Sequence, residues 1–83
     1  MKWFNEDKTK MIDIDSINGY VYIPSKEYIE QNPLETDVND FKKNGDRIEI
    51  ILAGSVFVFR GNTARELFEL VNQKMVEKEL LKG

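Results

Sequence analysis

RIEIILAGSVFVFRGNTARELFELVNQKM, residues 47–75, is the stretch that decides the fold. Two apolar runs, Ile48–Leu52 and Val56–Phe59, flank Gly54-Ser55, and a helix-type pattern follows directly. Glycine as the first central residue of a two-residue loop supplies the positive φ of a type II′ turn, and serine suits the second place. That turn sets Ile50 against Phe59, Leu52 against Phe57 and Glu49 against Arg60, the last an opposite-charge pair worth ~0.2–1 kcal/mol. Alternation then collects Ile48, Ile50, Leu52, Phe57 and Phe59 on one face, the expected core. The opposite face carries Glu49 and Arg60 but also Ile51, Ala53, Val56 and Val58, more apolar than a solvated sheet face normally is. Either the N-terminal segment, with Trp3 and Phe4, covers this patch, or a partner does.

Thr63-Ala64-Arg65-Glu66 reads as a capping box, Thr63 accepting from the Glu66 N–H while the Glu66 carboxylate reaches back. From Ala64, the residues Leu67, Phe68, Val71 and Met75 fall on one stripe, and Arg65 and Glu69 are spaced for an i,i+4 ion pair. The spacing predicts a helix running to about Leu81, long enough at about 1.5 Å per residue to overhang a sheet of ordinary strands. Leu80 lies off the main stripe, and Leu70 and Leu81 form a second, flanking one. These leucines either fray or serve self-association.

Earlier in the chain, Asn18-Gly19 is a strong type I′ signal and predicts a second hairpin over Met11–Ile23. Its register sets Ile14 opposite Ile23, Ser16 opposite Val21 and Asp15 opposite Tyr22. Ile12, Ile14, Val21 and Ile23 then form a core face, and Asp13, Asp15, Tyr20 and Tyr22 form the other. Ser25 after Pro24 opens a short helical turn that Asn32-Pro33 closes. Residues 34–44 read as a loop with a helical turn at Val38 and Phe41, although Asn44-Gly45 would also suit a third hairpin. Trp3 and Phe4 are expected at the core or its edge, with a binding anchor as the alternative. The fold class is α+β: one domain over residues 1–83, an antiparallel sheet of about four strands from two hairpins, and the long C-terminal helix across one face.

Composition narrows the chemistry. The chain has 83 residues, no cysteine and no histidine, and a net charge of −3. The usual general base, thiolate nucleophile and soft metal ligands are therefore missing. Asp13 and Asp15 beside Tyr20 and Tyr22 fall short of the oxygen ligands a hard cation needs, and the glycines match no phosphate-binding fingerprint. No cofactor and no enzymatic role is expected. No apolar run approaches the ~20 residues that cross a bilayer, and a cysteine-free domain suits the cytoplasm. Between Met11 and Phe41, seven acids (Asp13, Asp15, Glu27, Glu30, Glu35, Asp37, Asp40) face Lys26 alone, a net −6. Lys42, Lys43, Arg47 and Arg60 could gather near one end of the central hairpin, but the acidic balance opposes nucleic-acid binding.

The order of hairpins, strand pair and capped helix loosely resembles small bacterial flagellar regulatory proteins, through Asn18-Gly19, Ile48–Leu52, Val56–Phe59 and the capping box. Those signals are generic to folding, so no functional residue is taken from the resemblance. The sequence points first to a small non-catalytic interaction or regulatory module with a protein partner, self-associating as a dimer through Ile51, Val56, Val58, Leu70, Leu80 and Leu81. The alternative is an acidic inhibitor that presents residues 11–41, with Asp13, Asp15, Tyr20 and Tyr22, to a basic nucleic-acid-binding protein. A nucleic-acid-binding protein stands third.

Overall fold

A computed structural model describes the backbone of residues 1–82 and the side chains of residues 1–76. In chain order the elements are β1 (Lys2–Phe4), β2 (Met11–Asp13), a 3₁₀ turn (Ile14–Ser16), β3 (Gly19–Ile23), α1 (Ser25–Gln31), α2 (Val38–Asn44), β4 (Arg47–Leu52), β5 (Ser55–Arg60) and α3 (Gly61–Lys82). The fold is α+β, with antiparallel strands and a long C-terminal helix, as the sequence predicts. The five strands divide into a two-stranded ribbon, β1-β2, and a three-stranded sheet ordered β3-β4-β5.

The β4–β5 hairpin forms, but one turn position earlier than expected. Its loop is Ala53-Gly54, with φ of 53° and 80°, a type I′ turn rather than a II′ turn on Gly54-Ser55. Ile48 consequently faces Phe59, Ile50 faces Phe57, and Glu49 faces Val58 instead of Arg60. The register moves by two residues, so every side chain keeps its face although its partner changes. Ala53 is held in the left-handed region by a tertiary contact: its N–H donates to Asn18 Oδ1 at 3.0 Å. The displaced register sets Arg47 opposite Arg60, a like-charge pair that would be unfavourable without other partners. Arg47 lies 3.6 Å from Glu49 and 4.9 Å from the Phe41 ring centroid, and Arg60 donates to Asp40 at 2.9 Å.

The hairpin expected over Met11–Ile23 does not form. Asp13 accepts the Asp15 N–H at 3.2 Å and the Ser16 hydroxyl at 3.1 Å, turning the chain into the 3₁₀ element where a strand would have continued. Asn18 makes no turn of its own; its N–H donates to Ile51 O at 2.8 Å. β2 pairs with β1, placing Trp3 beside Ile12, and β3 pairs with β4, Tyr20 opposite Ile50 and Tyr22 opposite Ile48. The faces of β3 are therefore the reverse of those expected: the tyrosines face α3, while Val21 is 48% exposed. Phe68 of α3 stacks on Tyr22 at 4.3 Å and meets Tyr20 edge-on at 6.0 Å.

Ile48, Ile50 and Phe59 from the sheet, Ala64, Leu67 and Val71 from α3, and Trp3, Ile12, Ile14 and Ile17 from the N-terminal ribbon and turn form one buried core. Trp3 packs edge-on against Phe59 at 5.3 Å, on the core side of the sheet, so the N-terminal segment does not cover the opposite face. Phe4 is exposed. The predicted stripe on α3 is the buried one, but the helix begins at Gly61, which places Thr63 inside its first turn. Glu66 accepts from Trp3 Nε1 at 3.4 Å in place of closing a capping box, and Arg65 reaches Asp46 rather than Glu69. α1 and α2 make a smaller cluster in which Tyr28 stacks on the buried Phe41 at 4.2 Å. No helix among the described residues is long and apolar enough to cross a membrane.

Two substitutions test the turn and the junction. Ala53→Gly removes the left-handed strain of a residue with a Cβ and is expected to raise the urea unfolding free energy by about 0.5–1 kcal/mol. Gly61 has φ of 68°, and a Cβ there would stand 3.1 Å from Asn44 O. Gly61→Ala is expected to lower the same quantity by more than about 1 kcal/mol.

Candidate functional site

Chemistry requires convergent reactive groups, and the described residues contain no set of three or more His, Cys, Asp or Glu able to hold a metal ion. Among the described residues one ionisable side chain is buried, Asp46. It accepts from the Tyr22 hydroxyl, from the Ser25 N–H at 2.8 Å and from Arg65 Nη2 at 3.4 Å. Burial works against its charged form, but the hydrogen bonds from Ser25, Tyr22 and Arg65 outweigh that and hold its carboxyl below the ordinary carboxylate range. Burial, followed by the Asp46 contact, pushes the Tyr22 phenol up. These bonds tie β3, α1 and α3 to the residue just before β4, so the cluster works as an internal clasp.

The four residues expected to share an acidic partner face are separated. Asp13 caps the 3₁₀ turn, Asp15 takes the Met1 amine, and Tyr20 and Tyr22 lie against Phe68 on the inner side of the sheet. A face made of all four does not exist in this fold. The basic residues expected near one end of the hairpin are likewise tied down where they meet the sheet: Arg47 is stacked on Phe41 and Arg60 is bound to Asp40. That Arg60 contact, with one from Asn44, holds the half-buried Asp40 carboxyl below its usual range.

The outer face of the three-stranded sheet is a different matter. Its cross-strand rows read Ile23–Arg47–Arg60, Val21–Glu49–Val58 and Gly19–Ile51–Val56. α2 meets the first row through Phe41 and Asp40. Beyond it, Val21, Ile51, Val56 and Val58 are 48, 38, 57 and 37% exposed, side by side around Glu49. Ile51, Val56 and Val58 thus occupy one surface, as their alternation predicts. Leu70 does not join them; it packs half-buried against the core. Leu80 and Leu81 lie outside the described residues.

β5 is the richest part of this surface. It is an edge strand with β4 as its hydrogen-bonded neighbour, and of its six residues only Phe59 is buried. Along its last residues runs a cleft of about 360 Å³, with Asn5, Glu6, Asp7 and Lys10 on one side and Val58, Phe59, Arg60 and Thr63 on the other. Three consecutive strand residues point their side chains alternately up and down, so a cleft lined by all three opens onto the strand's edge. The loop forming its far wall is ordered by its own bonds: Lys10 N–H donates to Asn5 Oδ1 at 2.9 Å and Thr9 Oγ1 to Asp7 Oδ1 at 2.6 Å. The Thr9 bonds lower the Asp7 pKa. Compared with protein-family models, curated proteins and solved structures, the chain matches none.

Sequence reasoning missed Asp46 and the cleft. A lone Asp between a glycine and a strand carries no local mark of its long-range partners, and a cleft between loop and edge exists only after β1-β2 docks beside Phe59. The clasp generates a pH prediction. A carboxyl depressed in the folded state adds stability that is present above its unfolded pKa and lost as pH falls through the folded one. Unfolding free energy is therefore expected to fall as pH drops below about 4, and Asp46→Asn to flatten that dependence in urea titrations at several pH values. Asp46→Ala is expected to cost about 2–4 kcal/mol at neutral pH, because Tyr22, Ser25 and Arg65 lose a charged acceptor together.

Proposed function

We propose that this protein is a small non-catalytic interaction module that acts by associating with a second copy of itself through β5 and the apolar rows beside it, in a cytoplasmic setting suited to a cysteine-free domain. The observation that carries the reading is the exposure of Ser55, Val56, Phe57 and Val58 in succession on an edge strand. Natural sheets guard such edges with lysine, proline, bulges or a covering element. β5 contains no lysine or proline and no charge before Arg60, whose guanidinium is bound to Asp40.

A second copy is the occupant the chemistry favours. The strand asks for an uncharged, β-forming, apolar counterpart, and the same chain supplies one with no like charges brought together. Val21 and Ile51 widen the contact on the neighbouring strands. Sedimentation velocity over a micromolar concentration series tests this. The wild type is expected to shift from monomer to dimer as concentration rises, while Val58→Asp, a change at a residue outside the core, stays monomeric with its circular dichroism unaltered. A wild type that remains monomeric throughout would overturn the reading.

A further inference from the structure

We infer that two copies join edge to edge, β5 against β5 in antiparallel register centred on Phe57, to make one continuous six-stranded sheet. The inference rests on the self-association reading and specifies its geometry. A two-residue turn closes on a hydrogen bond between the residues that flank it, here Leu52 and Ser55. Bonded and non-bonded pairs alternate from there, so Ser55, Phe57 and Phe59 direct their backbone groups at β4. Val56, Val58 and Arg60 direct theirs outward, along the free edge.

An antiparallel pair related by a two-fold axis keeps its faces continuous only if residues opposite one another share a face. Registers centred on Val56, Phe57, Val58 or Phe59 satisfy this within the strand, and those centred on Phe57 or Val58 overlap furthest. Centring on Phe57 sets Val56 opposite Val58 of the second copy twice over, so that both outward-facing valines of each strand meet outward-facing valines. Phe57, 37% exposed, then meets its own counterpart on the inner face. Arg60 falls opposite the other copy's Gly54, away from any second arginine. Centring on Val58 instead sets Val56 opposite Arg60 twice over and leaves a single valine pair on the outer face.

The cleft fits the central register. With Phe57 at the axis, the other copy's Ala53-Gly54-Ser55 tip, built from small residues, runs alongside Phe59 and Arg60 into the space beside Asn5 and Lys10.

The cysteine-free chain allows a direct test with the single variants Val56→Cys, Phe57→Cys, Val58→Cys and Ile51→Cys, each checked by circular dichroism and oxidised with copper phenanthroline. A non-hydrogen-bonded cross-strand pair has its Cα atoms about 4.5 Å apart, within disulfide reach, whereas diagonal neighbours lie about 7–8 Å apart. Phe57→Cys is expected to form the intermolecular disulfide at least tenfold faster than the others. A dimer that cross-links fastest at Val56, Val58 or Ile51 would overturn the register or the edge-to-edge mode while leaving self-association intact. Amide hydrogen exchange on the wild type gives a second readout that needs no variant. The Val56 and Val58 amides are expected to become protected at dimeric concentration, and Phe57 and Phe59 to be protected at all concentrations. Free exchange at Val56 and Val58 in a sedimenting dimer would reject edge pairing, and a sedimenting monomer would reject the parent reading as well.

Discussion

The carboxylate of Asp46 holds together segments that no local signal would bring near one another. Its oxygens accept from Tyr22 on β3, from the first N–H of α1 and from Arg65 on α3, while its backbone carbonyl takes the Gly61 N–H at 2.8 Å. A buried anion is costly unless its hydrogen bonds are complete, and here several charge-assisted or backbone donors complete them. Beside it, Gly45 and Gly61 approach until a Cβ on Gly45 would stand 3.3 Å from Gly61 Cα. The α2–β4 and β5–α3 connections can lie this close only because neither residue has a side chain.

From that junction the layers follow. α3 leaves β5 directly and lays Ala64, Leu67 and Val71 across Ile48, Ile50 and Phe59, while Trp3 and Ile12 close the side of the core next to Phe59. All the large helical elements that follow the strands are thereby committed to one side of the sheet or to its end. α2 occupies the end of the outer face, with Arg47 lodged on Phe41, and the rows beyond remain bare. The exposed valines and isoleucine are a consequence of this allocation: a chain with one long helix covers one sheet face.

The edge of β5 arises in the same way. β3 takes the far side of β4, and the β1-β2 ribbon forms a separate sheet that spends its inward residues, Trp3 and Ile12, on the core. A strand with five exposed residues is left next to a cleft. In physical terms the surface combines an apolar face with free backbone donors and acceptors, and strand addition satisfies both kinds of group at once.

How much of this was legible in the chain depends on the range of the interaction concerned. Patterns that repeat within a few residues determined the α+β class, the β4–β5 hairpin with its two faces, the buried stripe of α3, the short helix after Pro24, and the shared surface of Ile51, Val56 and Val58, whereas they left residues 34–45 open between a helical turn and a third hairpin. Period-two and period-3.6 burial leave a direct trace in sequence. Tertiary structure alone decided which strands pair, because Asn18-Gly19 has a strong intrinsic turn preference that was overruled when the Asn18 carboxamide found the Ala53 N–H and Asp13 bent the strand before it. The same long-range contacts reversed the faces of β3, dispersed the acidic constellation, and set the turn at Ala53-Gly54. Apart from the Asp13 cap, which is local, these outcomes turn on hydrogen bonds or packing contacts between residues far apart in the chain, whose free energy no local window contains.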